Sequence, residues 1–315
     1  MPFLSWDPRI ESEEFFVYGA YNDVKFTLNK DIPLLDIDAW DLFPKYNYVY
    51  NKLQINRASG IPCNMMGASR GPDDFPVVVR PIYNLYGMGC EARQVDWPNE
   101  FEKLCLPGFF WAKKIVGPHC SWDMAVVRGD VVWCQTFSGM PHDSELPGMF
   151  SHWSTSGANP TIKRKVESWV DNNLAGFTGM VNVETIGGYI IECHLRVGDS
   201  LYLGNGELLQ SIVDLYEFGD WTFTGEIGTF HLFPVWVRRP RKGCWPSDPA
   251  VRLAIQDLVE ENFSTQIIEV DDDWPGDPLY ARRVMLLGNS DLRRGQDARD
   301  EIEKLFDSPV MHIGV

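Results

Sequence analysis

The sequence predicts an α+β protein, and three observations carry that expectation. Val166, Trp169, Val170 and Leu174 recur at helical spacing behind Pro160, a residue suited to a helix's first turn. The run Phe75–Pro81 is apolar, β-branched and ended by proline, which reads as a buried strand. The stretch Val181–Arg196 places two β-prone arms around Gly187-Gly188, the signature of an antiparallel hairpin.

Taken in chain order, the first fifty residues are aromatic and acidic, with short apolar pieces at Phe15–Tyr18 and Pro33–Leu35. They predict brief strands and loops packed on a larger neighbour. After the strand at Phe75–Pro81 come two glycines, Gly87 and Gly89. Asp123–Val127 and Val131–Cys134 flank Arg128-Gly129-Asp130 as a second hairpin. Met149–Pro160 is polar and aromatic, and long enough for a lid, an acceptor loop or a plain connection.

Helices are expected over Thr161–Leu174 and over Glu207–Tyr216, the second ending before Gly219. Arg238–Lys242 is basic and broken by proline, which reads as a solvated linker. Ser247-Asp248-Pro249 caps a helix to about Asn262, Asp271–Asp273 is a charged turn without EF-hand spacing, Val284–Leu287 is strand-like, and Gln296–Phe306 is an amphipathic helix. No internal repeat is visible.

At 315 residues the chain suits one large domain or two modest ones. Acidic residues number 44 against 28 basic, for a formal net charge of -16. That field repels phosphate backbones and excludes a general nucleic-acid binder, while a local basic site can still hold a nucleotide. The apolar runs stop short of the roughly 18–20 residues of a membrane-spanning helix. Met1–Asp7 lacks the basic start and apolar run of a secretory signal. The seven cysteines are odd in number and scattered, with no CxxC pair, so neither a disulfide framework nor a zinc knuckle is expected. The chain reads as cytoplasmic.

The hairpin at Val181–Arg196 carries most of the chemistry. Strand alternation puts Ile191, Cys193 and Leu195 on one face and Glu192, His194 and Arg196 on the other. An acid, an imidazole and a guanidinium in one row can serve a metal and an anion. Whether Glu184 joins them depends on the turn. A three-residue turn centred on Gly188 sets Glu184 opposite Glu192, whereas a two-residue Gly-Gly turn sends it away. Facing carboxylates repel unless a cation lies between them, so the first register predicts Mg²⁺. The other reading is a strand with a solvated polar face.

The order of these segments resembles the ATP-grasp superfamily of carboxylate–amine ligases. Tyr50-Asn51-Lys52-Leu53 and Ser59-Gly60-Ile61-Pro62 are similar to the superfamily's opening helix and its Gly-Ile-Pro ending. Phe75–Pro81 matches a strand that ordinarily ends in Lys-Pro, and Gly87-Met88-Gly89 falls at the glycine-rich phosphate loop. Ile115–Asp123 resembles the segment that opens the second half of the grasp. Asn182-Val183-Glu184 and Glu192-Cys193-His194-Leu195-Arg196 resemble the two metal-binding strands, the latter ordinarily Glu-x-Asn-x-Arg.

The resemblance covers about residues 50 to 220. It implies two α+β lobes enclosing a nucleotide site: an abbreviated N-terminal segment over 1–50, a grasp core over 51–240 and a C-terminal extension over 241–315. ATP would lie between the lobes, with Mg²⁺ or Mn²⁺ held by Glu184, Glu192 and His194. Lys52 and Arg80 would offset phosphate charge, Gly87 and Gly89 would line the phosphate loop, and backbone around Lys113 and Ile115 would contact adenine. Arg196 would hold phosphate or the developing oxyanion. The implied reaction turns a small-molecule carboxylate into an acyl phosphate that an amine attacks.

Three departures mark this chain. Arg80 replaces a lysine, Lys113 and His119 stand where acids often meet the nucleotide, and His194 replaces an asparagine, bringing an imidazole that suits Mn²⁺ or Zn²⁺ better than Mg²⁺. His194 has a second reading, as a hydrogen-bond partner of substrate or phosphate. The spacing from Glu184 to Glu192 is also short for the superfamily. A non-catalytic nucleotide-binding or regulatory module is therefore the alternative function, and phosphoryl transfer to another acceptor a third. His119, Ser121 and Asp123 share one strand face, but no nucleophile-elbow glycines surround Ser121, which argues against a hydrolase.

Overall fold

A computed structural model describes residues 14–16, 25–27, 32–85, 89, 91–104, 106–142, 149–203, 205–237, 255, 266–270 and 282–307. Strands β1 (Glu14–Phe16) and β2 (Lys25–Thr27) pair antiparallel. Where the sequence suggested loops, the chain next forms helix α1 (Asp36–Leu42) and a 3₁₀ helix over Pro44–Tyr50. The signal was present but short. Asp36 and Asp38 both fall in the first turn of α1, where they complement the helix dipole, and Asp38 Oδ2 accepts from the Leu35 amide at 3.3 Å.

A small lobe follows. Helix α2 (Lys52–Ala58), capped by the Asn51 side chain, leads into β3 (Cys63–Met65), β4 (Val77–Pro81), β5 (Arg93–Val95), α3 (Pro98–Phe101) and β6 (Phe109–Lys113). The strands form a four-stranded antiparallel sheet in the order β3-β6-β4-β5. Alternation works here as expected: Val77 and Val79 bury one face of β4 with Val95 and Trp111.

The large lobe is one eight-stranded sheet, built from β7 (His119–Val127), β8 (Asp130–Pro141), β9 (Phe150–Ser156), β10 (Gly179–Ile186), β11 (Tyr189–His194), β12 (His231–Val237), β13 (Gln266–Val270) and β14 (Arg282–Asn289). Its order is β11-β10-β7-β8-β9-β12-β14-β13, and every pairing is antiparallel. Helix α4 (Pro160–Asn173) covers one face, burying Val166 and Val170, with Leu174 just beyond it, against Trp122, Met124, Val181 and Val183. Helix α5 (Gly206–Phe218) covers the other with Leu208, Ile212 and Leu215 against Ala125, Phe137 and Met180. Burying the three aliphatics at α4 contributes roughly 5–9 kcal/mol, enough to hold an otherwise polar helix on the sheet. Helix α6 (Leu292–Asp307) packs Ala298 and Ile302 inward, one turn longer at its start than the sequence suggested.

One expectation is corrected here. Met149–Pro160 is no lid or loop: most of it is β9, in the interior of the large sheet. Hydroxyls of this strand are satisfied across the sheet. Ser154 Oγ meets His231 Nδ1 at 2.6 Å, and Ser156 Oγ accepts from Ser138 Oγ at 3.0 Å. A strand this polar is stable inside a sheet because its neighbours satisfy it. The anticipated linker at 238–242, the turn at 271–273 and all but Ile255 of the helix at 247–262 lie outside the described residues. Among the described residues the four cysteines are free, and no helix is long and apolar enough to cross a membrane.

Candidate functional site

Sequence left the hairpin's register open, and the structure resolves it by a third route. Ile186 pairs with Tyr189, so the turn has two residues, with Gly187 and Gly188 at φ +56° and +81°. Positive φ at both positions is what a tight hairpin turn of this hand requires and glycine supplies without strain. Such a turn alone would point Glu184 away. A β-bulge between Glu184 and Thr185 adds one residue on the β11 side, and Glu184 then faces Glu192 after all. The bulge also moves Ile191 off the face of Cys193 and Leu195, contrary to simple alternation. Ile191 packs with Leu53, Ile61 and Phe110 of the small lobe, while Cys193 and Leu195 pack beneath α4.

The carbonyl released by the bulge ties the two lobes together. Ile191 O accepts from Asn56 Nδ2 at 3.0 Å and from Arg80 Nη2 at 2.9 Å, and Ser59 Oγ donates to Ile190 O at 2.8 Å. Helix α2 therefore lies along β11, the edge of the large sheet. Lys52 and Arg80 are thereby brought beside the hairpin's acids.

At the centre, ligand atoms of Glu184, Glu192 and His194 lie within 4.8 Å of one another. Glu192 forms ion pairs with Lys52 and, at 3.5 Å, with Arg80, and His194 Nε2 stands 3.8 Å from its Oε2. Glu184 Oε2 is 2.7 Å from His119 Nε2. Burial works against both charges, and each carboxylate also has the other as a neighbour. Lys52, Arg80 and His194 nonetheless hold Glu192 well below the usual carboxylate range, and the hydrogen bond and charge of His119 lower Glu184. Both acids stay ionised. The donor set, two carboxylate oxygens and an imidazole nitrogen, fits a divalent cation.

Around this centre lies a ring of residues that sequence reasoning missed or underused. Asp36, at the start of α1, places Oδ1 and Oδ2 at 3.0 and 2.9 Å from His194 Nδ1, and Oδ1 at 3.2 Å from Arg196 Nε. Burial alone would raise its pKa, but His194 and Arg196 bring it down to about 2. Asp123 is fully buried, accepting from Asn182 Nδ2 and from the Ser200 amide, both at 2.6 Å. Gly198 passes so close that a Cβ there would lie 2.0 Å from Asp123 Oδ1 and 2.8 Å from Asn182 Nδ2. Asp199 is pushed up to about 7 by burial and the nearby Asp123 charge, in spite of Arg196.

The remaining expected residues scatter more widely. Lys52 and Arg80, read as phosphate partners, both pair with Glu192. The Lys113 side chain is half exposed, 3.7 Å from Asp74, and its amide is taken by Pro62 O at 2.8 Å, so any adenine contact there falls to other backbone groups. Ile115 packs its side chain into the small lobe's core. Gly87 lies outside the described residues, and Gly89 forms a turn with φ +63°. His119, Ser121 and Asp123 do share a face, as spacing predicted, but they serve this centre: Ser121 Oγ accepts from Asn182 Nδ2 at 2.7 Å, with no nucleophile–base pair among them. The His119 ring also meets Phe150 and Trp153 edge-on at 4.9 and 5.4 Å.

No family model matches the sequence, and no curated protein matches it. Solved structures do match in fold. An L-amino acid ligase from Bacillus licheniformis superposes over 85% of this chain and 75% of its own, with 15% identity and a TM-score of 0.55. A carboxyaminoimidazole ribonucleotide synthase from Aspergillus clavatus, solved with ATP, covers 85% of this chain and 75% of its own at 12% identity and a TM-score of 0.56. A biotin carboxylase from Campylobacter jejuni covers 87% and 76% at 10% identity and a TM-score of 0.50. These are ATP-grasp proteins, and the chain has the ATP-grasp fold.

Proposed function

We propose that this protein is an ATP- and divalent-cation-dependent ligase that joins a small carboxylate to an amine through an acyl phosphate. The observation that carries the reading is the convergence of Glu184, Glu192 and His194. Two carboxylates and an imidazole aimed at one point form a donor set that a divalent cation would complete. The fold itself is one shared with an amino acid ligase and a ribonucleotide synthase.

Under this reading Glu184, Glu192 and His194 would hold Mg²⁺ or Mn²⁺, which would neutralise phosphate charge and polarise the transferred group. Lys52 and Arg80 are buried cations now satisfied by Glu192, and they turn to the phosphates when the nucleotide arrives. A carboxylate oxygen of the donor attacks the γ-phosphorus and ADP leaves. The amine then attacks the acyl carbon, loses its proton, and inorganic phosphate departs. Arg196, held at Nε by Asp36 and at Nη1 by the Val197 carbonyl, steadies the oxyanion of that second step with the N–H groups these leave over.

A second reading rests on one observation. Lys52 and Arg80 already neutralise Glu192 without a metal, which would suit a module that binds nucleotide but does not turn it over. Release of ADP and phosphate, measured with Mg²⁺ or Mn²⁺ across pooled amino acids and small carboxylates, separates the two. The ligase reading expects release stimulated by an acceptor and abolished in Glu192→Gln. Nucleotide binding with no release from any pool supports the module instead.

A further inference from the structure

We propose that Asp36 is a positioning residue that makes His194 a nitrogen ligand and turns the cation choice of this centre from Mg²⁺ towards Mn²⁺. The inference rests on the metal–nucleotide reading of the same site and adds to it which metal is preferred and what sets the preference.

The geometry is specific. Both oxygens of Asp36 approach the same nitrogen of His194, Nδ1, at 3.0 and 2.9 Å. A carboxylate can only accept, so Nδ1 carries the hydrogen and donates it. In the neutral ring Nε2 then keeps its lone pair. That nitrogen stands 3.8 Å from Glu192 Oε2 and belongs to the group converging within 4.8 Å. Without a metal a proton on Nε2 or the Lys52 ammonium on Glu192 Oε2 balances these oxygens, and a divalent cation would displace that proton and take the lone pair. The ring cannot turn aside. Asp36 and His194 are each only 3% exposed, and the Tyr50 ring packs edge-on against the imidazole at 6.3 Å.

Asp36 also grips Arg196 at Nε, 3.2 Å away. One carboxylate, carried by α1 ahead of the small lobe, therefore orients two successive members of the row Glu192, His194, Arg196. A carboxylate behind a ligating histidine fixes its tautomer and raises its basicity as a ligand, and removing such a partner typically costs about 10–100-fold in metal affinity. Magnesium favours oxygen donors and keeps its waters, whereas a nitrogen donor favours transition metals, and among these Mn²⁺ shares the preference of Mg²⁺ for the two carboxylates. An asparagine at 194 would offer an amide oxygen from a shorter side chain, so the imidazole nitrogen is what distinguishes this site.

The test uses the full chain with ADP and Mn²⁺, followed by pulsed electron paramagnetic resonance for ¹⁴N coupling, with Mg²⁺ competition to give the Mn²⁺/Mg²⁺ preference. Wild type is expected to show nitrogen coupling. His194→Asn should lose the coupling and lower the preference for Mn²⁺ by about tenfold or more, while Asp36→Asn should weaken Mn²⁺ binding about 10–100-fold. Near-UV circular dichroism checks each fold, and if Asp36→Asn does not fold, wild type against His194→Asn decides. Mn²⁺ bound without nitrogen coupling in wild type overturns the inference and leaves the nucleotide reading standing. Binding of neither metal in the presence of ADP overturns both.

Discussion

Gly198→Ala offers a sharp physical test, because the structure leaves its added carbon nowhere to go. The new Cβ would lie 2.0 Å from Asp123 Oδ1 and 2.8 Å from Asn182 Nδ2. Neither neighbour can step aside cheaply. Asp123 is 0% exposed and gives up its 2.6 Å bonds to Asn182 and the Ser200 amide if it swings away. Overpacking of this kind costs about 1–3 kcal/mol. Loss of one hydrogen bond to a charged group adds about 1.5–3 kcal/mol, for a total near 3–6 kcal/mol. In a chain of 315 residues that is a fall in Tm of about 5–9 °C.

Thermal unfolding by circular dichroism measures it, with Gly228→Ala as the control, since nothing lies within 4 Å of a Cβ at that position. The pair Gly198→Ala with Asp123→Ala should lose less than the sum of the two, because both disturb the same contact. A Gly198→Ala protein that melts with the Gly228→Ala control would refute the reasoning.

Asp199 makes stability depend on pH in a stated direction. Its carboxyl is raised from an ordinary 3.8 to about 7, so between those values the unfolded chain is ionised while the folded one keeps its proton, and stability falls as pH rises through that window. Asp199→Asn should flatten this limb in denaturant titrations at pH 4 to 8, and an unchanged slope would show that other groups produce it. Arg196→Ala should lower turnover more than nucleotide affinity, measured by steady-state kinetics and calorimetry. An equal fall in both would contradict its place on the oxyanion.

Much of this architecture was legible because it is local. Helix α4 announces itself through Val166, Val170 and Leu174, and β4 through its valines and closing proline, since each pattern is a periodicity within one element. The row Glu192, His194, Arg196 could likewise be read from alternation along a single strand. β9 was misread because its polar face looks like a loop until Ser138 and His231 are seen to satisfy it from neighbouring strands. Asp36 was invisible for a related reason. It lies 158 positions from the histidine it orients, and no short-range pattern links the two.

What the amino-acid order determined unaided was the inventory: a hairpin with acids on both arms, a row of imidazole and guanidinium beyond them, and cations on the preceding helix and strand. Only the tertiary structure decided that these meet. A two-residue turn by itself would have parted Glu184 from Glu192, and the bulge that reunites them leaves the Ile191 carbonyl to be satisfied by Asn56 and Arg80 of the other lobe. The choice of register is thus made by hydrogen bonds between distant segments, which alternation along a single strand does not encode.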